Sequence, residues 1–393
     1  MAVPDFALPR DAEAGLSPPC GPTTTPRPAP GWPYVPRDAL QVVRAVRAFG
    51  AGTGVAVRRA ELDRDVVTGT LALGSALTAD RAVLSLLALS PELAGVDLER
   101  ALYLDFETTG LGGTGCFAFL AGMCWFEGGR FVLEQLLLTE PDDEPELILR
   151  VAARIAASEV VVSYNGKSFD LPLLRGRLAL HRAEPLPPRP MLDLLHLARR
   201  VHRSRAFRKT LRTVEVEVLG LGRGPDVAGE EIAARYHHYL RSGDFEPLWP
   251  VVDHNAADVL AMLGLVGFYG EPFERLAADE LADVARVFRR AGALDRALDA
   301  AELAVGRERS AGALRVRAEV QKARGDVAAA LADLEILLAG VDDPAARLEL
   351  AKLYEHHVRA PARALELVEQ GTAEPEPARE RRRQRLVRKL RTR

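Results

Sequence analysis

Three stretches of the chain place acids where acids do chemistry. In Ala101–Gly115, ALYLDFETTGLGGTG, Asp105 and Glu107 stand two apart at the end of a short apolar run. In a strand, residues i and i+2 point to one face, so both carboxylates would share it. Like charges held that close repel unless a proton or a cation lies between them. Crowded oxygen ligands of this kind favour Mg²⁺ or Mn²⁺. Asp170 follows in SYNGKSFD, where the VVV run gives way to a helical pattern. His254 and Asp258, in HNAADVL, are one helical turn apart and face the same way. A solvated acidic turn and a surface His–Asp hydrogen bond are the plain alternatives for each motif taken singly. Gly166-Lys167-Ser168 is not a phosphate-binding loop, because that motif needs a glycine where the chain has Val161.

The surrounding elements must bring these residues together. After the Asp105 strand come a glycine-rich turn, the run Cys116–Phe126, a Glu127-Gly128-Gly129 hairpin turn and a partner strand Arg130–Leu138. A helix over about 143–157, the strand VVVSY, a helix from Asp170 and the helical segment MLDLLHLARR complete the series. Three antiparallel strands followed by α, β, α is the order of a ribonuclease H-like mixed α/β sheet with flanking helices. Fold alone would not establish function.

The motifs Asp105-Phe106-Glu107-Thr108-Thr109-Gly110-Leu111, Asn165-x3-Phe169-Asp170 and His254-x3-Asp258 resemble, in order, those of the DEDD superfamily of 3′–5′ exonucleases. More narrowly, GLGGTGCFAFLAG, YNGKSFDLPLL, DLLHLARR and HNAADVLAM resemble the YprB-type ribonuclease H-like domain family over roughly residues 98–268. The histidine stands four residues before the last aspartate, the spacing of the tyrosine subclass, and Asp253 takes the five-residue position of the histidine subclass.

The resemblance implies phosphodiester hydrolysis at a single-stranded DNA or RNA end with two Mg²⁺ or Mn²⁺ ions about 4 Å apart. It implies that Asp105 bridges both ions, Glu107 and Asp258 help hold the ion that activates water, and Asp170 holds the other. His254 would orient or deprotonate the water. Thr108, Thr109, Gly110 and Leu111 would line the terminal nucleotide, with Leu111 wedged against a base. Asn165 and Lys167 would meet the substrate, Lys167 at a backbone phosphate. The alternative is an inactive nucleic-acid-binding or scaffold protein.

The formal charge of −3 neither demands nor excludes a polyanionic partner. Locally, Arg199, Arg200, His202, Arg203, Arg205, Arg208, Lys209 and Arg212 form a cationic run able to track a phosphate backbone. Cys20, Cys116 and Cys124 have no zinc or disulfide spacing, which fits a reducing cytoplasm. No export signal or apolar run of about 20 residues is read, so no membrane is expected.

The length of 393 residues suggests more than one domain. Residues 1–37 are proline-rich and expected to be disordered. Residues 38–97 form an accessory segment, with a helix over Asp38–Phe49 stopped by Gly50, then short strands that would cover one sheet edge. Residues 98–268 form the nuclease-like domain. Over 273–372, Leu281, Leu314 and Leu348, and the Ala-Leu pairs at Ala297, Ala330 and Ala364, recur at spacings of 33 and 34. That period predicts tetratricopeptide-like helix pairs, either a groove for a protein partner or a structural cap. Residues 373–393 are a basic tail, read as a nucleic-acid-binding helix or a solvated end.

Overall fold

The structure, a computed structural model, describes residues 38–44, 49, 54–110, 115–222, 227–271 and 273–392. The proline-rich segment, Gly50, Cys20 and Leu111 therefore lie outside the described residues. The strands are β1 (Val55–Leu62), β2 (Val67–Thr68), β3 (Leu71–Ala72), β4 (Ala101–Thr108), β5 (Ala118–Glu127), β6 (Arg130–Leu138), β7 (Val160–Ser163) and β8 (Met191–Asp193). Six of them form one mixed sheet in the order β1-β6-β5-β4-β7-β8; β2 and β3 pair separately as a small ribbon. The β1-β6-β5-β4 half is antiparallel, and β4-β7-β8 is parallel. This is the mixed sheet with flanking helices that the element order predicts.

Two details differ from the sequence reading. The stretch VAVRRAEL is β1, paired with β6 along its whole length, so the sheet reaches back beyond residue 98. Its outward Arg59 and Glu61 suit an edge strand, where charge discourages pairing with a second chain. The segment MLDLLHLARR is not one helix. Met191–Asp193 pairs in parallel with β7, and Asp193 then caps the helix Leu194–Val201 by accepting from the Leu195 N–H. A three-residue apolar strand running into a helix has too short a period to separate from the helix itself.

Because β4 is flanked on both faces, Leu102 and Leu104 pack on one side and Ala101 and Tyr103 on the other. The Leu104 side is covered by the helices Glu144–Ala157 and Asp170–Leu180 and by Tyr236. The Tyr103 side is covered by Leu194–Val201 and by the long helix Trp249–Gly270. That helix, with the preceding turn from Glu246, is long and apolar enough to cross a membrane, but most of it is buried inside the fold. Asp253, His254 and Asp258 interrupt its apolar residues, so the sequence holds no unbroken apolar run of about 20 there.

Beyond Ala278 the described chain is all helical: Ala278–Arg290 with Leu294–Arg307, Ala311–Arg324 with Val327–Gly340, and Pro344–Leu353 with Pro361–Glu369. Ala297, Ala330 and Ala364, at equivalent places in the three pairs, are fully buried because only a small side chain admits the neighbouring helix. Gly292 and Gly325 turn the chain in the left-handed region, and Arg359 adopts the same conformation at the third equivalent turn. The apolar core of the Tyr103 face continues without a break into this region through Leu281, Val284 and Ala297.

The junction is also held by polar contacts. The buried His202 Nδ1 lies 2.6 Å from Glu280 Oε1, its Nε2 lies 3.1 Å from the Tyr269 hydroxyl, and Asp283 accepts from the Ser204 N–H. Burial alone would raise the Glu280 pKa, but bonds from His202 and the Ala277 N–H pull it below the usual range. Removing one partner strands the other in the interior. Glu280→Ala is therefore expected to cost about 3 kcal/mol in urea unfolding.

These contacts revise the cationic run. His202 is internal, Arg200 donates to Leu87 O, Arg205 pairs with Glu217 and Glu280, and Lys209 donates to two carbonyls. Only Arg199, Arg203, Arg208 and Arg212 of the run stand exposed. The basic tail is likewise built into the fold. The helix Glu376–Arg391 buries Leu386 against the last pair, and Arg382, Arg385 and Lys389 converge on the buried Glu355. Burial opposes ionisation of Glu355, yet these bonds outweigh it and pull its pKa down to about 2.

Candidate active site

The end of β4 is where the separated acids meet. Alternation along the strand puts Asp105 and Glu107 on the side of the long helix. Asp170, buried, opens the helix after β7, the parallel neighbour of β4. His254 and Asp258 share one face of the long helix: His254 Nε2 lies 3.5 Å from Asp258 Oδ2 and 4.0 Å from Glu107 Oε1. The histidine thus bridges two acids that sequence alone only ordered along the chain.

Asp105 is the electrostatic centre. Its side chain keeps a partial opening to solvent, yet loss of hydration raises its pKa well above the usual carboxylate range. Asp258, Glu107 and Asp170 raise it further, while His254 opposes them. Asp170 is pushed up to about 7, first by burial and then by Asp193. Carboxyls that resist ionisation because burial, and then neighbouring carboxyls, disfavour their charge are neutralised by a proton or by a cation. The donor set, all hard oxygen with one imidazole, suits Mg²⁺ or Mn²⁺. Among the described residues no three His, Cys, Asp or Glu side chains converge on one point as they stand.

The predicted substrate turn is only partly described. A β-bulge falls between Glu107 and Thr108, where β4 leaves the ladder. Thr108 Oγ1 donates to Gly110 O at 2.7 Å, and Thr109 pairs with Phe117 through its N–H and Oγ1. The two hydroxyls are thus used in closing the turn. Asn165 takes a left-handed conformation (φ 70°), and the N–H groups of Asn165 and Lys167 both donate to Asp193. The Lys167 side chain is exposed. At Gly166 any Cβ would fall 2.5 Å from Ser163 Oγ and 2.9 Å from Asp170 Oδ2, so only glycine fits beneath Asp170.

Sequence reasoning missed Asp193 and Asn255. Asp193 ties the 165–167 turn and presses on Asp170; its signal was an aspartate between an apolar run and a helix. Asn255, fully buried, donates through Nδ2 to Asp105 Oδ2 at 3.0 Å. It lay in plain view between His254 and Asp258, but a neutral amide beside two ligand-type residues carries no signal of its own. Asn255 reaches Asp105 across Gly122, where a Cβ would fall 2.2 Å from Asn255 Oδ1. Gly122→Val is expected to displace Asn255 and lower stability by about 2 kcal/mol, read from urea unfolding.

The mixed six-stranded sheet with flanking helices has a ribonuclease H-like architecture, and acids gather at the end of β4. Residues 102–268 match the family model described as RNase_H superfamily. The chain is also 35% identical over 174 residues to a Bacillus subtilis (strain 168) protein named "Uncharacterized protein YprB". That match covers 44% of the chain and 42% of the relative, so the chain spans less than half of the relative's length. Nucleases of the ribonuclease H-like class generally use divalent metal ions.

Proposed function

We propose that the sheet domain is a DEDD-type, divalent-metal-dependent nuclease that removes nucleotides from the 3′ end of single-stranded nucleic acid. The observation that carries this reading is the gathering of acids from separate stretches at the end of β4, where His254 Nε2 lies 3.5 Å from Asp258 Oδ2 and 4.0 Å from Glu107 Oε1, and Asp258, Glu107 and Asp170 all oppose ionisation of Asp105. Its superfamily match supports the same class of chemistry.

Two Mg²⁺ or Mn²⁺ ions, when bound, supply Lewis acidity toward water and offset charge developing on the phosphate. Asp105, Glu107, Asp170 and Asp258 would hold them. His254, beside Glu107 and Asp258, would orient the attacking water and take its proton at Nε2. The turn from Thr108 through Gly110 receives the terminal nucleotide, with Leu111, outside the described residues, as its wedge. Asn165 and the exposed Lys167 meet the strand, Lys167 at a phosphate, and Arg199, Arg203 and Arg208 extend a surface for its backbone. The helix pairs act as a tetratricopeptide-like stack that either takes a protein partner or caps the sheet domain, whose core runs on into them.

The test uses 3′- and 5′-labelled single-stranded DNA and RNA with Mg²⁺ or Mn²⁺, beside a circular single strand. Release of the 3′ label as mononucleotide, a descending ladder from the 5′ label and an intact circle are expected. No cleavage of any substrate overturns the nuclease reading, and a cut circle overturns the end-directed one.

A further inference from the structure

The strand β1 lies outside the region that matches the superfamily model, yet it reaches Asp105 through a line of hydrogen bonds. The sheet register sets this up. Arg58 on β1 pairs with Gln135 on β6, Gln135 with Gly122 on β5, and Gly122 with Asp105 on β4, so the four residues form one row across the sheet. Gly122 leaves a gap in that row, and Asn255 from the long helix fills it. The contacts then run continuously. Arg58 Nη1 donates to Gln135 Oε1 at 2.9 Å, Gln135 Nε2 donates to Asn255 Oδ1 at 2.9 Å, and Asn255 Nδ2 donates to Asp105 Oδ2 at 3.0 Å. Arg58, Gln135 and Asn255 are each at least 99% buried.

The direction of this chain is fixed at its far end. A guanidinium has donors only, so Gln135 must turn its oxygen toward Arg58 and its amide nitrogen toward Asn255. Asn255 must then show its oxygen to Gln135 and its nitrogen to Asp105. Gln135 Nε2 also donates to Val252 O at 2.7 Å, which holds the amide the same way round. Asp253 in turn anchors Arg58: its Oδ1 lies 3.4 Å from the guanidinium, and its Oδ2 accepts from Arg44 Nε. Asp253 is the residue at the five-residue histidine position, and here it faces away from the acids into this support.

We infer that Arg58 is a positioning residue for the acid cluster, setting through Gln135 and Asn255 the hydrogen-bond direction that clamps one oxygen of Asp105. The other oxygen is left for a cation. The N-terminal segment therefore belongs to the active-site support. The link to a cation rests on the proposed nuclease reading; the clamp itself does not.

The test compares Arg58→Met, Arg58→Lys and Gln135→Met in the full chain, below the melting temperature of each. Lysine is also donor-only and keeps the direction, whereas methionine removes it. Gln135→Met breaks the line without stranding a charge, so it stands in if Arg58→Met fails to fold. First, selective ¹⁵N labelling of asparagine follows solvent exchange of the Asn255 side-chain amide in metal-free protein. Exchange at least about tenfold faster than wild type is expected in both methionine variants, with most of the protection recovered in Arg58→Lys. Second, Mn²⁺ affinity by calorimetry is expected to weaken at least about tenfold in the methionine variants, with rescue by lysine. Wild-type exchange in the folded methionine variants overturns the clamp. Lost protection with unchanged Mn²⁺ affinity overturns the positioning role. Failure of wild type itself to bind Mn²⁺ counts against the nuclease reading and removes the cation role of Arg58, while the exchange measurement still judges the clamp.

Discussion

Asp105→Asn is expected to lower cleavage on the order of a thousandfold or more while leaving the metal-free fold at least as stable as wild type. The two effects have one cause. Asp105 is pressed by loss of hydration and by Asp258, Glu107 and Asp170, so its negative charge is a burden on the fold until a cation offsets it. The amide has the same shape and no charge, and its oxygen can still accept from Asn255 Nδ2. What it lacks is the anionic oxygen needed to hold a divalent ion. Cleavage of end-labelled substrate and a thermal melt in chelator check both halves. A variant that cleaves like wild type, or that melts well below it, contradicts the account.

The second large effect is on pH. Asp170 moves from an ordinary value of 3.8 to about 7, and Asp105 also lies well above its ordinary value. A carboxyl raised in the folded state contributes stability that is fully present below its unfolded pKa and is lost as pH rises through its folded pKa. Glu280, Glu349, Glu355 and Glu374 are shifted the other way, so their contribution is already complete above about pH 5. Between pH 5 and 8 the metal-free protein should therefore lose stability. From pH 5 to about 7 Asp170 keeps its proton when folded and not when unfolded, so the loss amounts to about 3 kcal/mol if Asp170 alone carries it, or a fall in melting temperature on the order of 5 °C.

On the proposed reading, a divalent ion held by these carboxyls would replace those protons. Its affinity should rise about tenfold per pH unit for each proton displaced, and level off above pH 7 as Asp170 ionises without help. Calorimetric Mn²⁺ titrations at pH 5, 6, 7 and 8, with chelator-treated melts at the same values, check the sign and slope. Asp170→Asn should flatten much of the fall in stability.

How much of this was legible beforehand follows from the range of each interaction. The short apolar run ending in Asp105 and Glu107 and the one-turn spacing of His254 and Asp258 are local patterns, and the strand and helix they predict are present. The short strand Met191–Asp193 was not legible, because three residues define no period. The role of VAVRRAEL as an edge strand was only partly legible, because its partner lies far along the chain. The cationic run and tail misled for a similar reason. An arginine reads as a free charge until its carboxylate partner is known, and Glu280 and Glu355 come from other elements.

By itself, then, the sequence determined the kinds of elements, their order and which acids stand at their ends, since backbone periodicity and turn chemistry act over a few residues. Tertiary structure alone decided that Asp105 sits between Asp258, Glu107 and Asp170 and is clamped by Asn255, and that Arg58, in an otherwise unremarked strand, sets the direction of the clamp. Those relations come from sheet register and from the packing of one helix over a glycine gap, and no local pattern records which distant residues will share a row.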